Sequence, residues 1–222
     1  MPDTQSELLQ TIEIEQSPTP VGTVIWLHGL GADAHDFEPI VPQLNLEQPL
    51  RFVFPNAPER PVTINGGMEM RAWYDIDPGA PLTGEADIRE SASSIEQLLE
   101  LENSRGIQTA KITLAGFSQG GVIALHLGLR LQERLAGIMA LSTYVHNHEH
   151  LVDEVSFASI DVPIFMAHGR ADPMIPIARA VTSREAMTSL NYQIEWHEYA
   201  MGHQVCVEEI ADISRWLNAV YS

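Results

Sequence analysis

The sequence predicts an α/β fold: a mostly parallel central sheet flanked by helices on both faces. Three observations predict it. Strand-length apolar runs alternate along the chain with segments of helical spacing. The inner runs are continuously apolar, as strands covered on both faces require. A Gly-x-Ser-x-Gly run, Gly116 to Gly120, sits between a strand-like and a helix-like segment.

The elements follow in order. Residues 10–15 alternate polar and apolar and read as an edge strand, and Ser17-Pro18-Thr19-Pro20 reads as a turn. Residues 23–27 form a buried strand and 37–44 a short helix. Residues 51–54 are a strand closed by Pro55-Asn56-Ala57-Pro58. Residues 59–83 are rich in Gly and Pro and read as a long loop, a length more often functional than accidental. Residues 86–103 show helical spacing through Ile88, Ala92, Ile95, Leu98, Leu99 and Glu102, with Gly106 as the stop signal. A strand at 111–115 and a helix at 122–131 flank the serine. Strands at 136–142 and 163–167, a helix at 177–190, a strand at 193–199 and a helix at 205–220 complete the chain.

A chain of 222 residues is most simply one domain, here 1–222. Its formal net charge of −18 repels phosphate backbones and anionic headgroups, which argues against nucleic acid as a partner. No apolar run is long enough to insert stably in a membrane. The first seven residues are acidic and lack the apolar core of a secretory signal. The lone cysteine, Cys206, excludes an internal disulfide framework. A cytoplasmic protein is expected.

A strand–Gly116-Phe117-Ser118-Gln119-Gly120–helix sequence is what a nucleophile elbow needs. The serine stands at the apex of a sharp turn, and side chains at Gly116 and Gly120 would collide across it. The elbow also offers the backbone N–H of Gln119 to an oxyanion. A serine hydroxyl needs a general base, and the base needs an orienting group. With the chain order Ser, Asp, His, the orienting candidate is Asp172, in the turn leaving the 163–167 strand, where it also suits a turn or cap role before Pro173. The base candidate is His203, in the loop after the 193–199 strand, with Gly202 giving the backbone freedom to aim the ring. His197 should point into a sheet face, and His28, His126 and His168 read as structural. Asp153 and Asp161 read as surface groups. The Gly-rich loop His28-Gly29-Leu30-Gly31 offers the Leu30 N–H as second oxyanion donor. It lacks the lysine and the spacing of a phosphate-binding loop.

These segments, taken together, resemble the phospholipase/carboxylesterase family of α/β-hydrolases. The resemblance is carried by Leu27-His28-Gly29-Leu30-Gly31, Phe54-Pro55-Asn56-Ala57-Pro58, Asn65-Gly66-Gly67-Met68, Arg71-Ala72-Trp73-Tyr74-Asp75, Gly116-Phe117-Ser118-Gln119-Gly120-Gly121, His168-Gly169 with Asp172, and Gly202-His203. It implies an α/β-hydrolase without a large lid domain and a serine esterase that needs no cofactor or metal. The catalytic set implied is Ser118, Asp172 and His203, with Leu30 and Gln119 as oxyanion donors. Met70 and Trp73 would border the acyl pocket, while Trp73 and Tyr74 suit core anchors equally well. The substrate would be a small-molecule ester of a small to medium acyl chain, with acyl-protein thioesterase or lysophospholipase activity as the alternative, and a homodimer is a common assembly. Residues 32–37, Ala-Asp-Ala-His-Asp-Phe, look more like the bacterial branch than the eukaryotic one.

Weaker signals have plainer explanations. His146, His148 and His150 alternate as metal ligands can, but read as a solvated loop. Cys206 at the start of the last helix reads as packing. Met68, Met70 and Met201 suit an adaptable apolar wall. The competing readings are a catalytically silent binding protein, which would usually lack one of the three catalytic residues, and a peptidase, which would need further elements to hold a peptide.

Overall fold

The computed structural model describes residues 8–80 and 82–222; the acidic 1–7 segment read above lies outside them. The strands are β1 (Thr11–Glu15), β2 (Gly22–Leu27), β3 (Leu50–Pro55), β4 (Glu59–Val62), β5 (Met68–Arg71), β6 (Ile112–Phe117), β7 (Gly137–Leu141), β8 (Ile164–Gly169) and β9 (Ile194–Tyr199). The helices are α1 (Glu85–Ser104), α2 (Gln119–Gly128), the short α3 (Leu151–Glu154), α4 (Ile177–Ser189) and α5 (Val207–Val220).

Seven strands form one sheet in the order β1-β3-β2-β6-β7-β8-β9. β1 is antiparallel to β3 and lies at the edge, as its alternating pattern requires; the other pairings are parallel. Every residue of β2, β3, β7 and β8 is buried. Period-two geometry sorts these side chains onto two faces. Ile25, Leu27, Val53 and Leu114 meet α1, α2 and Met187 of α4 on one side. Val24, Trp26, Phe52, Phe54 and Phe165 meet Phe37, Val41 and Ile210, Ile213, Trp216 and Leu217 of α5 on the other. The two-faced layering read from the sequence is therefore present. Among the described residues no helix is long and apolar enough to cross a membrane.

Three segments differ from the sequence reading. The expected helix at 37–44 is a 3-10 helix, Glu38–Gln43, because Pro39 and Pro42 have no N–H for the α-helical ladder. The expected loop at 59–83 holds a hairpin of β4 and β5, with Glu59 opposite Arg71 and Val62 opposite Met68. Its strands are four residues long and contain Pro61, so period and composition both conceal it. Gly66 and Gly67 take left-handed φ values of 69° and 79° in its connection. Finally, α2 begins at Gln119, three residues before the first apolar position of its pattern, because Gly120 and Gly121 are helical residues and not turn residues.

Ionic contacts tie the helices to the sheet edges. The buried Glu102 carboxylate of α1 accepts from Thr23 Oγ1 at 2.5 Å and from Arg51 at 2.8 Å, joining α1 to β2 and β3. Arg130, just after α2, holds Glu154 of α3 at 2.6 Å, and Arg89 of α1 reaches the same carboxylate at 2.6 Å. Burial by itself would raise the Glu154 carboxyl, but the bonds from Arg130 and Arg89 outweigh it and bring it from 4.5 down to about 2. A carboxyl lowered by folding contributes stability that is complete above its unfolded value and lost as pH falls through its folded one. The wild-type protein is thus expected to lose on the order of 1–2 kcal/mol from this group between about pH 4.5 and 2, allowing for the solvent around Arg89. Glu154→Gln should be less stable at pH 7 and lack that component of the acid titration, as checked by urea unfolding across the pH range.

Candidate active site

The parallel strands deliver four loops to one edge of the sheet, at their carboxyl ends. The turn after β6 carries Ser118, the loop after β2 carries Leu30, the loop after β8 carries Asp172 and the loop after β9 carries His203.

Ser118 has φ 53° and ψ −117°, a conformation that non-glycine residues rarely adopt. Four hydrogen bonds hold it there. Its N–H donates to Leu141 O at 2.9 Å, and its carbonyl accepts from Thr143 Oγ1 at 2.7 Å and from the Gly121 and Val122 amides. The turn is so tight that a Cβ at Gly116 would lie 2.3 Å from Gly120 O, and one at Gly120 would lie 2.6 Å from the carbonyls of Leu27 and His28. Both collisions are with backbone, which cannot swing away.

His203 Nε2 lies 2.9 Å from Ser118 Oγ, and His203 Nδ1 lies 2.7 Å from Asp172 Oδ2. The ring packs on Phe117, centroids 4.7 Å apart. Asp172 Oδ1 accepts from the Met174 and Ile175 amides at 2.8 and 2.9 Å, so the carboxylate serves as the expected turn former and faces His203 with its other oxygen. Burial pushes the Asp172 carboxyl up, but the bonds from His203, Ile175 and Met174 prevail and hold it below the ordinary range, in its charged form. The chain can approach here because β8 ends in Gly169, where a Cβ would meet Gly202 O at 2.3 Å. Gly202 itself has no left-handed φ, and its Cβ would find nothing within 3.7 Å. The glycine that this loop needs is Gly169, which corrects the sequence reading of Gly202.

The 28–31 loop lies against the serine: a Cβ at Gly29 would sit 3.5 Å from Ser118 Cβ. No described residue accepts a hydrogen bond from the N–H of Leu30 or of Gln119. His28 Nε2 accepts from Ala57 N–H at 3.1 Å, which requires the proton on Nδ1, and Nδ1 donates to Gly29 O at 2.7 Å. Its burial lowers its basicity.

Of the two residues expected to border an acyl pocket, Met70 is half-buried, with Sδ 3.8 Å from the Cβ position of Gly31. Trp73 has no exposed surface and is a core residue, so it does not line an open cleft. Its bulk fills the space beneath the loops, which decides for the core-anchor reading of this residue. Met201 is also buried, whereas Met68 is 64% exposed on the hairpin.

The remaining candidates separate cleanly. His197 stacks on Phe165 at 5.0 Å and bonds Glu195 at 2.8 Å. His126 is buried in α2, where burial and nearby arginines lower it to about 4. His168 lies behind Asp172 and contacts Ile175 O at 2.8 Å. Contrary to the solvated loop expected, His146 is buried beside Tyr74, while His148 and His150 lie in a separate 3-10 turn. Among the described residues no three His, Cys, Asp or Glu side chains converge as a metal would require. Cys206 occupies the N-terminal cap position of α5, and burial pushes its thiol up, away from the thiolate a nucleophile needs.

A mostly parallel sheet with a serine at a strand–helix elbow and loops converging on its carboxyl edge is the architecture of an α/β-hydrolase. The model of the phospholipase/carboxylesterase family matches residues 9–221, and the chain belongs to that family. It is a hydrolase of carboxylic ester bonds by that membership. Acyl-protein thioesterase 1 of Yarrowia lipolytica is 34% identical over 215 residues, covering 93% of this chain and 95% of that one. Acyl-protein thioesterase 1 of Neurospora crassa is 37% identical over 209 residues, covering 88% and 85%. The crystal structure of Arabidopsis thaliana SOBER1 superposes with a TM-score of 0.84 at 26% identity, covering 90% of this chain and 99% of that one. These relatives are eukaryotic, so the bacterial leaning read from residues 32–37 is not supported.

The crowding at the elbow makes a direct prediction. Gly120→Ala should cost about 3 kcal/mol or more, because its methyl meets only backbone. Urea denaturation of purified protein checks this; a midpoint within error of wild type would refute the crowding argument.

Proposed function

We propose that Ser118, His203 and Asp172 act as nucleophile, general base and orienting carboxylate in the hydrolysis of esters with small to medium acyl chains. The observation that carries this reading is the unbroken line of contacts from Ser118 Oγ to His203 Nε2 at 2.9 Å and from His203 Nδ1 to Asp172 Oδ2 at 2.7 Å. His203 accepts the hydroxyl proton as Ser118 Oγ attacks the substrate carbonyl carbon. The carbonyl oxygen, now negative, is met by the Leu30 and Gln119 amides. The tetrahedral intermediate collapses to an acyl-serine as His203 returns the proton to the leaving oxygen. Water, deprotonated by His203, then attacks the acyl carbon; the second intermediate expels Ser118 Oγ, which recovers its proton from His203. Asp172, charged and buried, stabilises the imidazolium through both steps. Met70, above the Leu30 loop, borders the acyl group.

A thioester substrate is the second reading, favoured by the relatives named acyl-protein thioesterases. A thiolate leaves more readily than an alkoxide and needs the same nucleophile and oxyanion site. We further propose that the chain works as one domain in the cytoplasm, since its seven main strands share one sheet and its single cysteine needs no oxidising compartment.

A fluorophosphonate probe should label wild-type protein at Ser118, located by peptide mass spectrometry. Ser118→Ala should abolish labelling and lower p-nitrophenyl ester turnover by about 10⁴-fold or more. Labelling elsewhere, or substantial turnover by Ser118→Ala, would overturn the assignment. Asp172→Asn removes the charge and allows the wrong His203 tautomer. It should lower kcat by about 10⁴-fold with little change in KM, read in the same ester assay. Parallel chain-length series of p-nitrophenyl and thioester substrates then decide between the two leaving groups.

A further inference from the structure

Segment 71–74, which follows the β4–β5 hairpin, is hydrogen-bonded to both loops that carry the proposed oxyanion donors. On one side it pins the 28–31 loop at two points. Arg71 O accepts from Gly31 N–H at 2.9 Å, and the Trp73 indole N–H donates to His28 O at 2.9 Å. The Leu30 amide lies between these two anchors. On the other side it is gripped by the side chain of Gln119, whose own backbone N–H is the second donor. Gln119 Oε1 accepts from Trp73 N–H at 2.7 Å, and Gln119 Nε2 donates to Tyr74 O at 2.6 Å. The Ser91 hydroxyl of α1 takes up the remaining Trp73 carbonyl. Trp73 has no exposed surface and Gln119 is 2% exposed, so the bond between these two residues forms out of reach of water.

A buried primary amide carries a large desolvation cost unless all its polar atoms are paired, and here the pairing is spent on a single dipeptide backbone. An apolar residue could fill the same volume at position 119. A phenylalanine could fill most of that at 73. What a phenylalanine could not do is anchor His28 O, and what an apolar residue at 119 could not do is bind the elbow to the Trp73–Tyr74 backbone.

We propose that Trp73 and the Gln119 side chain are positioning residues of the oxyanion hole, holding the Leu30 and Gln119 amides at the separation that the tetrahedral oxyanion requires. This inference rests on the assignment of those two amides in the preceding section. The donors must meet the oxyanion where it forms and not where the ground-state carbonyl lies, so loss of the strap weakens transition-state binding more than substrate binding. Small misplacements of such donors cost up to about 100-fold in rate.

The test uses Trp73→Phe, which removes the indole donor, and Gln119→Met, which keeps side-chain length and the backbone amide but removes both polar atoms. Ile95→Val, a buried position of α1 outside both loops, serves as a core variant. Thermal unfolding, kcat and KM for a p-nitrophenyl ester, and inhibition by an alkyl boronic acid, which forms a tetrahedral anionic adduct on serine, are measured for each. Fluorophosphonate labelling of wild type at Ser118 is established first. Its failure would remove the preceding assignment itself, and this inference with it. With labelling in place, the strap variants should lose about 10- to 100-fold in kcat and weaken boronic acid inhibition by a similar factor. KM should stay within about twofold. Ile95→Val should keep its kcat. If either folded strap variant retains wild-type kcat and boronic acid affinity, or if Ile95→Val loses as much, Trp73 and Gln119 are core residues only and the proposal falls. Should Trp73→Phe not fold, Gln119→Met alone decides.

Discussion

The close crossing of backbone at the Ser118 elbow is the constraint on which the rest of the structure depends. Ser118 sits in a strained conformation that costs on the order of 1–3 kcal/mol and persists only where its surroundings over-determine it. Those surroundings are the neighbouring strands. Leu141 at the end of β7 receives the Ser118 N–H, and Thr143 just beyond it holds the Ser118 carbonyl. On the other side, the ends of β2 and the 28–31 loop lie so near that position 120 admits no side chain. The elbow is thus clamped between β2 and β7, which is possible only because β6 lies between them in parallel register.

The same register explains how residues 85 and 54 positions apart come to share one site with the serine. Parallel strands emerge at one edge, so the segments after β2, β6, β8 and β9 converge without any long excursion of the chain. Gly169 allows the His203 loop to touch the end of β8, and Asp172 uses the turn it forms there to present one oxygen to the imidazole. Turn formation and orientation of the histidine are one structural event at Asp172 rather than two competing explanations of it.

What the sequence made legible follows from this. Buried parallel strands are continuous apolar runs, so β2, β3, β6, β7 and β8 could be read directly, and chain order then assigned Ser118, Asp172 and His203 to loops at a common edge. The amphipathic α1 was equally plain from Ile88 to Glu102. Features that depend on contacts between distant segments were hidden. The β4–β5 hairpin is held by cross-strand bonds over four residues with a proline among them, a pattern that propensity disfavours. Trp73 reads equally as a core anchor and as a pocket residue in a Gly/Pro-rich stretch, and the packing of α1 and the elbow over it decides for the core. The need for glycine at 169, and its absence at 202, comes from a neighbouring loop that no local pattern encodes.

Substrate preference has to be sought in the same hidden features. In the proposed mechanism the Ser118, His203 and Asp172 set supplies a nucleophile and a proton, and these would serve an oxygen or a sulfur leaving group alike. The two proposed oxyanion donors would meet only the carbonyl oxygen. On that reading discrimination among acyl groups falls to side chains that extend past the reacting atoms, and Met70 on β5 lies over the Leu30 loop, its sulfur 3.8 Å from the Cβ position of Gly31. Its thioether is adaptable, and Asn65 Nδ2 touches its sulfur at 3.1 Å from the far side of the hairpin. Since β5 runs directly into the 71–74 segment, the proposed wall of the acyl site and the proposed support of the amide pair are consecutive in the chain. On that proposal, variation in the hairpin can change which acyl group fits only within the limits set by Trp73, because any shift passed along that backbone would move the Leu30 and Gln119 amides as well.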